Sequence, residues 1–171
     1  MKQFIFLTAG LLMISVFTQA QRYAYVDTEY ILSNIPAYKA AKEKLNELSY
    51  EWQQELESKK ETLEEMEQEY QTEKVLLTDE MKKRRENAIQ EQRNEINELQ
   101  RKYFGPEGEL YQRRQNLVKP IQEEVYEAIE TIASKGNYSV IFDTADKSCM
   151  LYTDPKYDKS DEVLQQLGYK K

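Results

Sequence analysis

The sequence predicts an α+β fold that is mostly α: a small β body with a long antiparallel α-helical coiled-coil hairpin projecting from it. Three observations predict this. From Ala37 to Phe104 the chain holds neither glycine nor proline and is dense in Glu, Lys, Gln and Arg. Strand-like runs flank that stretch, Tyr23-Ala24-Tyr25-Val26 before it and Tyr138-Ser139-Val140-Ile141-Phe142 after it. Pro36 and Pro120 stand equally far from Thr78, on either side of it. A single rod over the long stretch would run about 100 Å. It would strand a lone β-segment, which is not stable in water. Two equal arms folding back at Leu77-Thr78-Asp79-Glu80 bring the chain home.

The elements follow in order. Residues 1–20 read as a secretory signal peptide: Lys2 starts it, Phe4 to Phe17 is mostly apolar, and Thr18-Gln19-Ala20 fits cleavage after Ala20. The apolar core is too short for a comfortable membrane span. No cysteine at the junction suggests a lipid anchor. The mature chain, 21–171, reads as one domain, with its body in 21–36 and 116–171 and its helical arms in 37–115. Arg22 to Asp27 is a strand, Thr28 caps a brief helix through Leu32, and Asn34-Ile35-Pro36 breaks it, Pro36 suiting the next first turn. The ascending arm carries Ala41, Leu45, Leu48, Trp52, Leu56, Leu63, Met66 and Tyr70; the descending arm carries Met81, Ala88, Ile89, Ile96, Leu99 and Tyr103. These are thin stripes of coiled-coil spacing. Thr78 caps the descending helix, with Asp79 and Glu80 at its positive end. Phe104-Gly105-Pro106-Glu107-Gly108 interrupts it, as a hinge or a static break. A helix resumes at Glu109 with Leu117, Ile121, Val125, Ile129 and Ile132 as its stripe, and Gly136 caps it. Tyr138–Asp143 and Ser148–Thr153 then read as a β-hairpin around Thr144-Ala145-Asp146-Lys147. Asp154-Pro155 is a turn, and Asp158–Leu167 a last helix closed by Gly168.

Composition excludes several functions. The formal charge is −7, and −8 once Lys2 leaves with the leader. This argues against nucleic acid and against general binding to anionic membrane. There is no histidine, which removes the commonest general base, the usual triads and most zinc sites. The carboxylates are spread along helices as solvated faces, and the five glycines form no phosphate loop. No enzyme, metal or cofactor is expected. The lone Cys149 forms no intrachain disulfide and reads as a buried thiol.

This order of elements resembles the Skp (OmpH) family of periplasmic chaperones over nearly the whole mature chain. The resemblance rests on Tyr23-Ala24-Tyr25-Val26-Asp27 followed by Ile31-Leu32, then the charged hairpin. Next come Leu110 with Gln112 and Gln115, Pro120-Ile121, Ile129, and Ala133 ahead of Gly136-Asn137-Tyr138. Val140-Ile141-Phe142-Asp143 ends it. It implies a homotrimer whose strands join in a central body, with three hairpins around a cavity. It also implies an ATP-independent holdase, located in the periplasm, that keeps unfolded outer-membrane proteins from aggregating. On that reading the client-binding candidates are Trp52, Tyr70, Val75, Leu76, Leu77 and Met81, beside the exposed-looking Tyr50. Their other role is to join the two helices. Lys74, Lys82, Lys83, Arg84 and Arg85 would make a basic tip, touching acidic clients, lipid headgroups or lipopolysaccharide weakly, or only water. The chain departs from the strongly basic members of the family, which weakens the case for long-range attraction of acidic clients. A competing reading is a structural adaptor whose coiled coil docks one folded partner.

Overall fold

A computed structural model describes residues 22–146 and 150–169. The leader and Cys149 lie outside the described residues. The described elements are β1 (Arg22–Val26), α1 (Thr28–Ser33), α2 (Pro36–Glu73), α3 (Asp79–Phe104), α4 (Glu109–Gly136), β2 (Tyr138–Asp143), a 3₁₀ turn (Pro155–Tyr157) and α5 (Ser160–Gln166). The chain forms two compact units. One holds the described residues up to Ile31 and from Glu127 onward; the other runs from Leu32 to Tyr126.

In the first unit β1 and β2 form a two-stranded parallel sheet, with Ala24 opposite Ile141 and Val26 opposite Asp143. Among the described residues the expected β-hairpin after β2 does not form: Met150 to Thr153 is irregular, and the rest of that expected strand lies outside them. The reason is where the chain's hydrogen bonds go. The Thr144 N–H donates to Val26 O (2.8 Å), and its hydroxyl donates to the same oxygen (3.1 Å). The Ala145 N–H turns back to the Asp143 carboxylate (3.0 Å). The end of β2 is thus spent on β1 and on a local Asx turn, and among the described residues no strand folds back on β2.

Two caps also differ from expectation. Asp27, not Thr28, caps α1, its carboxylate accepting from the Tyr30 N–H at 2.9 Å. Thr28 is used across the unit instead: its hydroxyl and N–H both donate to the Asp143 carboxylate, at 2.7 and 3.2 Å. At the end of α4 the left-handed residue is Asn137 (φ 51°), not Gly136. Gly136 is needed for space, since a Cβ there would stand 2.1 Å from the Tyr138 ring. Gly168 (φ 87°) closes α5 as expected. The buried hydroxyl of Ser160 accepts from the Asp27 N–H (2.9 Å) and donates to Asp158 (2.6 Å). It ties α5 to the sheet. Ala24, Val26, Ile31, Ala128, Ile132, Val163 and Leu164 supply its buried apolar side chains.

Asp143 gives this unit an acid limit. Partial burial pushes its carboxyl up. The Ala145 N–H, the Thr28 hydroxyl and the Thr28 and Thr144 backbone groups outweigh that and hold it below the usual carboxylate range. A depressed folded value means stability present above about pH 4 and lost as pH falls through it. Asp143→Asn should cost about 1 kcal/mol at neutral pH for this exposed site. It should also flatten the acid limb of a stability–pH curve; an unchanged limb would remove Asp143 as its source.

In the second unit Ile35 is extended and Pro36 opens α2. Thr78 caps α3, its hydroxyl accepting from the Met81 N–H at 3.3 Å. Asp79 and Glu80 occupy the first turn of α3 and Arg101 and Lys102 its last, as the helix dipole favours. Helices α2 and α3 pack against each other as the two arms of a hairpin. Ala41, Leu45, Leu56 and Tyr70 of α2 and Ile89, Ile96 and Tyr103 of α3 are buried. Nearer the start of α2, Ala41 and Leu45 form an apolar cluster with Val118, joined by Tyr38, Leu110 and Ile121. The stripe of α4 is shifted from the expected one. Val118 and Val125 are buried, and farther along α4, in its part that belongs to the first unit, so are Ala128 and Ile132, whereas Leu117 is exposed. With half-buried Ile121 they keep strict alternate spacings of three and four, a heptad seam.

Candidate functional site

The apex of the hairpin is the loop between α2 and α3. The Lys74 N–H still bonds Tyr70 O (2.9 Å), and the Leu76 N–H bonds Glu73 O (2.8 Å). This turns the chain and points two adjacent aliphatic side chains at water: Val75 is 89% and Leu76 87% exposed. Leu77 is half-buried, and Met81, on the first turn of α3, is exposed. Exposure of neighbouring large aliphatics is costly unless something covers them in use.

The cations around the apex are largely answered by carboxylates. Lys82 lies 3.6 Å from Asp79 and Arg84 2.6 Å from Glu80. Arg85 reaches Glu73 (3.4 Å) and Glu69 (3.7 Å) on the other arm. Lys74 sits over the Tyr70 ring at 5.4 Å. Residues 69–86 hold five cations and five carboxylates, so the tip is electrically balanced rather than basic. Lys83 is exposed. It is the member of the Lys82–Arg85 run with the best claim to an external anion.

Trp52 and Tyr70, expected at the client-facing surface, are in the seam between the arms. Tyr70 is 5% exposed, and its hydroxyl donates to Glu86 at 2.5 Å. That bond, then burial, then the negative charge of Glu86, raise its pKa above the ordinary tyrosine value. Trp52 lies flat on Tyr103, with centroids 4.8 Å apart and planes at 4°. Phe104 stands edge-on to both. The Tyr103 hydroxyl donates to Glu55 (2.9 Å). Tyr50 is exposed.

A family model described as Outer membrane protein (OmpH-like) matches residues 22–167. The chain belongs to the OmpH-like family. A crystal structure of a candidate outer membrane chaperone (OmpH-like) from Caulobacter crescentus CB15 is similar in fold, with a TM-score of 0.65. It is 14% identical, and the match covers 86% of this chain and 84% of that one. The curated proteins contain no match. What the OmpH-like chain shares with that structure is its fold.

In this OmpH-like chain the sequence reading missed two groups. Phe104 and Glu55 complete the aromatic cluster around Trp52. A signal for them existed: in an antiparallel hairpin, residues equidistant from Thr78 face each other, and Trp52 and Phe104 are so placed, as are Tyr70 and Glu86. The second group is the exposed apolar surface of the first unit: Val140, and Tyr23 and Phe142, which line a small cleft with Tyr152 and Tyr157. These residues sit on strands, where alternation marks one face as buried without saying against what.

Proposed function

We propose that this OmpH-like protein is an ATP-independent holdase. It is exported to the periplasm with its leader cleaved after Ala20, and it keeps unfolded outer-membrane proteins from aggregating. The observation that carries the reading is the hairpin apex with Val75 and Leu76 open to water. Membership of the family supports it. An unfolded barrel chain offers many short apolar segments and no single epitope. A pair of aliphatics on a charge-balanced tip suits weak, repeated contact with such a chain. Leu77 and Met81 extend that surface; buried Tyr70 and half-buried Trp52, stacked on Tyr103, serve the seam between the arms instead.

The assembly we propose is a homotrimer formed through the first unit. Two strands make a poor core in water. The outer edge of β1 is partly covered, by the Lys159 N–H on Tyr25 O. β2 has only β1 as a sheet neighbour among the described residues. Val140 and Phe142 on β2 are exposed. Contact with lipid or lipopolysaccharide would be weak, because the tip carries no net positive charge.

The test is light scattering. An outer-membrane barrel protein is diluted from urea into buffer with and without residues 21–171, in the absence of nucleotide. Suppression near stoichiometric amounts is expected. Val75→Ser with Leu76→Ser should lose most of it while leaving the melting temperature and oligomeric state unchanged, since neither side chain is packed. Full suppression by that double variant would remove the apex from the mechanism. No suppression by the parent with several unrelated clients would instead favour an adaptor with one folded partner.

A further inference from the structure

Helices α2 and α3 are not held together in the same way along their length. Beyond Trp52, toward the apex, the arms are tied by charge. Lys59 bonds Glu95 at 2.8 Å, Arg93 bonds Glu67 at 2.6 Å, and Arg85 reaches Glu69 and Glu73. Near the apex the charges on α2 are of one sign. From Glu61 to Glu73, α2 carries six carboxylates and no cation, while the facing part of α3 supplies Arg85 and Arg93. The apolar seam there is interrupted: Leu63, Met66 and Ala88 are only half-buried, between the buried Leu56, Tyr70, Ile89 and Ile96. Below this segment the character changes. Trp52, Tyr103 and Phe104 form one aromatic cluster, and beyond it lies the Ala41–Leu45–Val118 cluster.

The end of α3 is also sterically fixed. A Cβ on Gly105 would stand 2.3 Å from Arg101 O, and one on Gly108 would stand 2.8 Å from Gly105 N and Lys102 O. The Gly108 N–H closes on Gly105 O (2.9 Å), and Gly108 is buried. The chain here is a tight turn packed on itself, directly after the aromatic cluster.

We propose that the hairpin opens from its apex down to Trp52 and stops there. The aromatic cluster and the packed Gly105–Gly108 turn act as the stop, and the cross-arm ion pairs act as a clasp that salt loosens. Exposed pairs are individually weak and screened by ions, so the clasp releases before the aromatic stack does. Opening exposes Leu56, Leu63, Met66, Ile89 and Ile96, a far larger apolar surface than the apex alone. The device is a property of the free chain and does not depend on the chaperone reading.

Native-state hydrogen exchange read by mass spectrometry tests it, on residues 21–171 without client. Raising salt from about 0.1 M to about 1 M shortens the screening length from ~10 Å to ~3 Å. Amides of residues 60–73 and 80–95 should then exchange about three- to tenfold faster, in one common step. Amides of 38–48 and 110–121 should not change, and neither should the emission of Trp52, the only tryptophan. Salt also relieves repulsion among the α2 glutamates, so Arg93→Gln at fixed low salt isolates the clasp. It should accelerate the same distal amides alone. Equal acceleration in both segments, a Trp52 shift with the same salt dependence, or no distal change in the variant would each overturn the proposal.

Discussion

Ile31→Ala is expected to destabilise the first unit by about 3 kcal/mol. Ile31 is 0% exposed and, with Val26 and Val163, is among the largest side chains wholly withdrawn from water. It sits on α1, a helix of six residues that cannot hold itself by backbone bonding alone. Its place depends on burial and on the Asp27 cap. Truncation removes apolar contact and leaves a cavity that neighbours fill only in part. For a chain of this length the melting midpoint should fall by roughly 6–12 °C. Leu151→Ala is the control, since Leu151 is fully exposed and should change nothing. A loss below about 1 kcal/mol for Ile31→Ala would mean the unit is not packed around it.

Trp52→Ala should cost about 2–3 kcal/mol in the second unit. The indole is only half-buried, which limits the transfer contribution. It also makes the stacked contact with Tyr103 and the edge contact with Phe104, so the variant unpicks three rings. Denaturant unfolding followed by circular dichroism should show a lower midpoint at nearly unchanged slope. Trp52→Phe should recover most of the loss. Equal effects of the two substitutions would mean that ring stacking is not what matters there.

Much of this was legible because its causes are local. Pro36 and Thr78 mark helix starts through properties they carry alone, a fixed φ and a short hydroxyl side chain. The hairpin turn and α3's first residue follow from them. The break at Gly105–Gly108 was legible for the same reason. What was missed depended on competition between distant segments. Tyr138–Asp143 has the pattern of a hairpin strand, but its actual partner is β1, at the other end of the described chain. Thr28 is a good cap by type, yet Asp27 takes the role and frees Thr28 for Asp143. Gly136 reads as the C-terminal cap, but Asn137 takes the left-handed conformation, and the glycine's missing Cβ makes room for the Tyr138 ring. At the tip, Lys82–Arg85 reads as basic in one dimension. Glu69 and Glu73 come opposite only once the chain has turned.

The parallel pairing of β1 with β2 sets an order of events. The Arg22 guanidinium bonds Gly136 O at 2.8 Å across 114 residues of sequence, and the adjoining strand pairs span similar separations. Closing so long a loop is entropically expensive and slow unless the intervening chain is already compact. The hairpin, whose contacts are far more local, can form first and shorten the effective loop. During synthesis β1 emerges early and has no partner until β2 follows. The sheet is therefore born only after the hairpin and α4. A chain cut before Tyr138 would keep α2 to α4 and lose β2 and α5, through which its two ends meet.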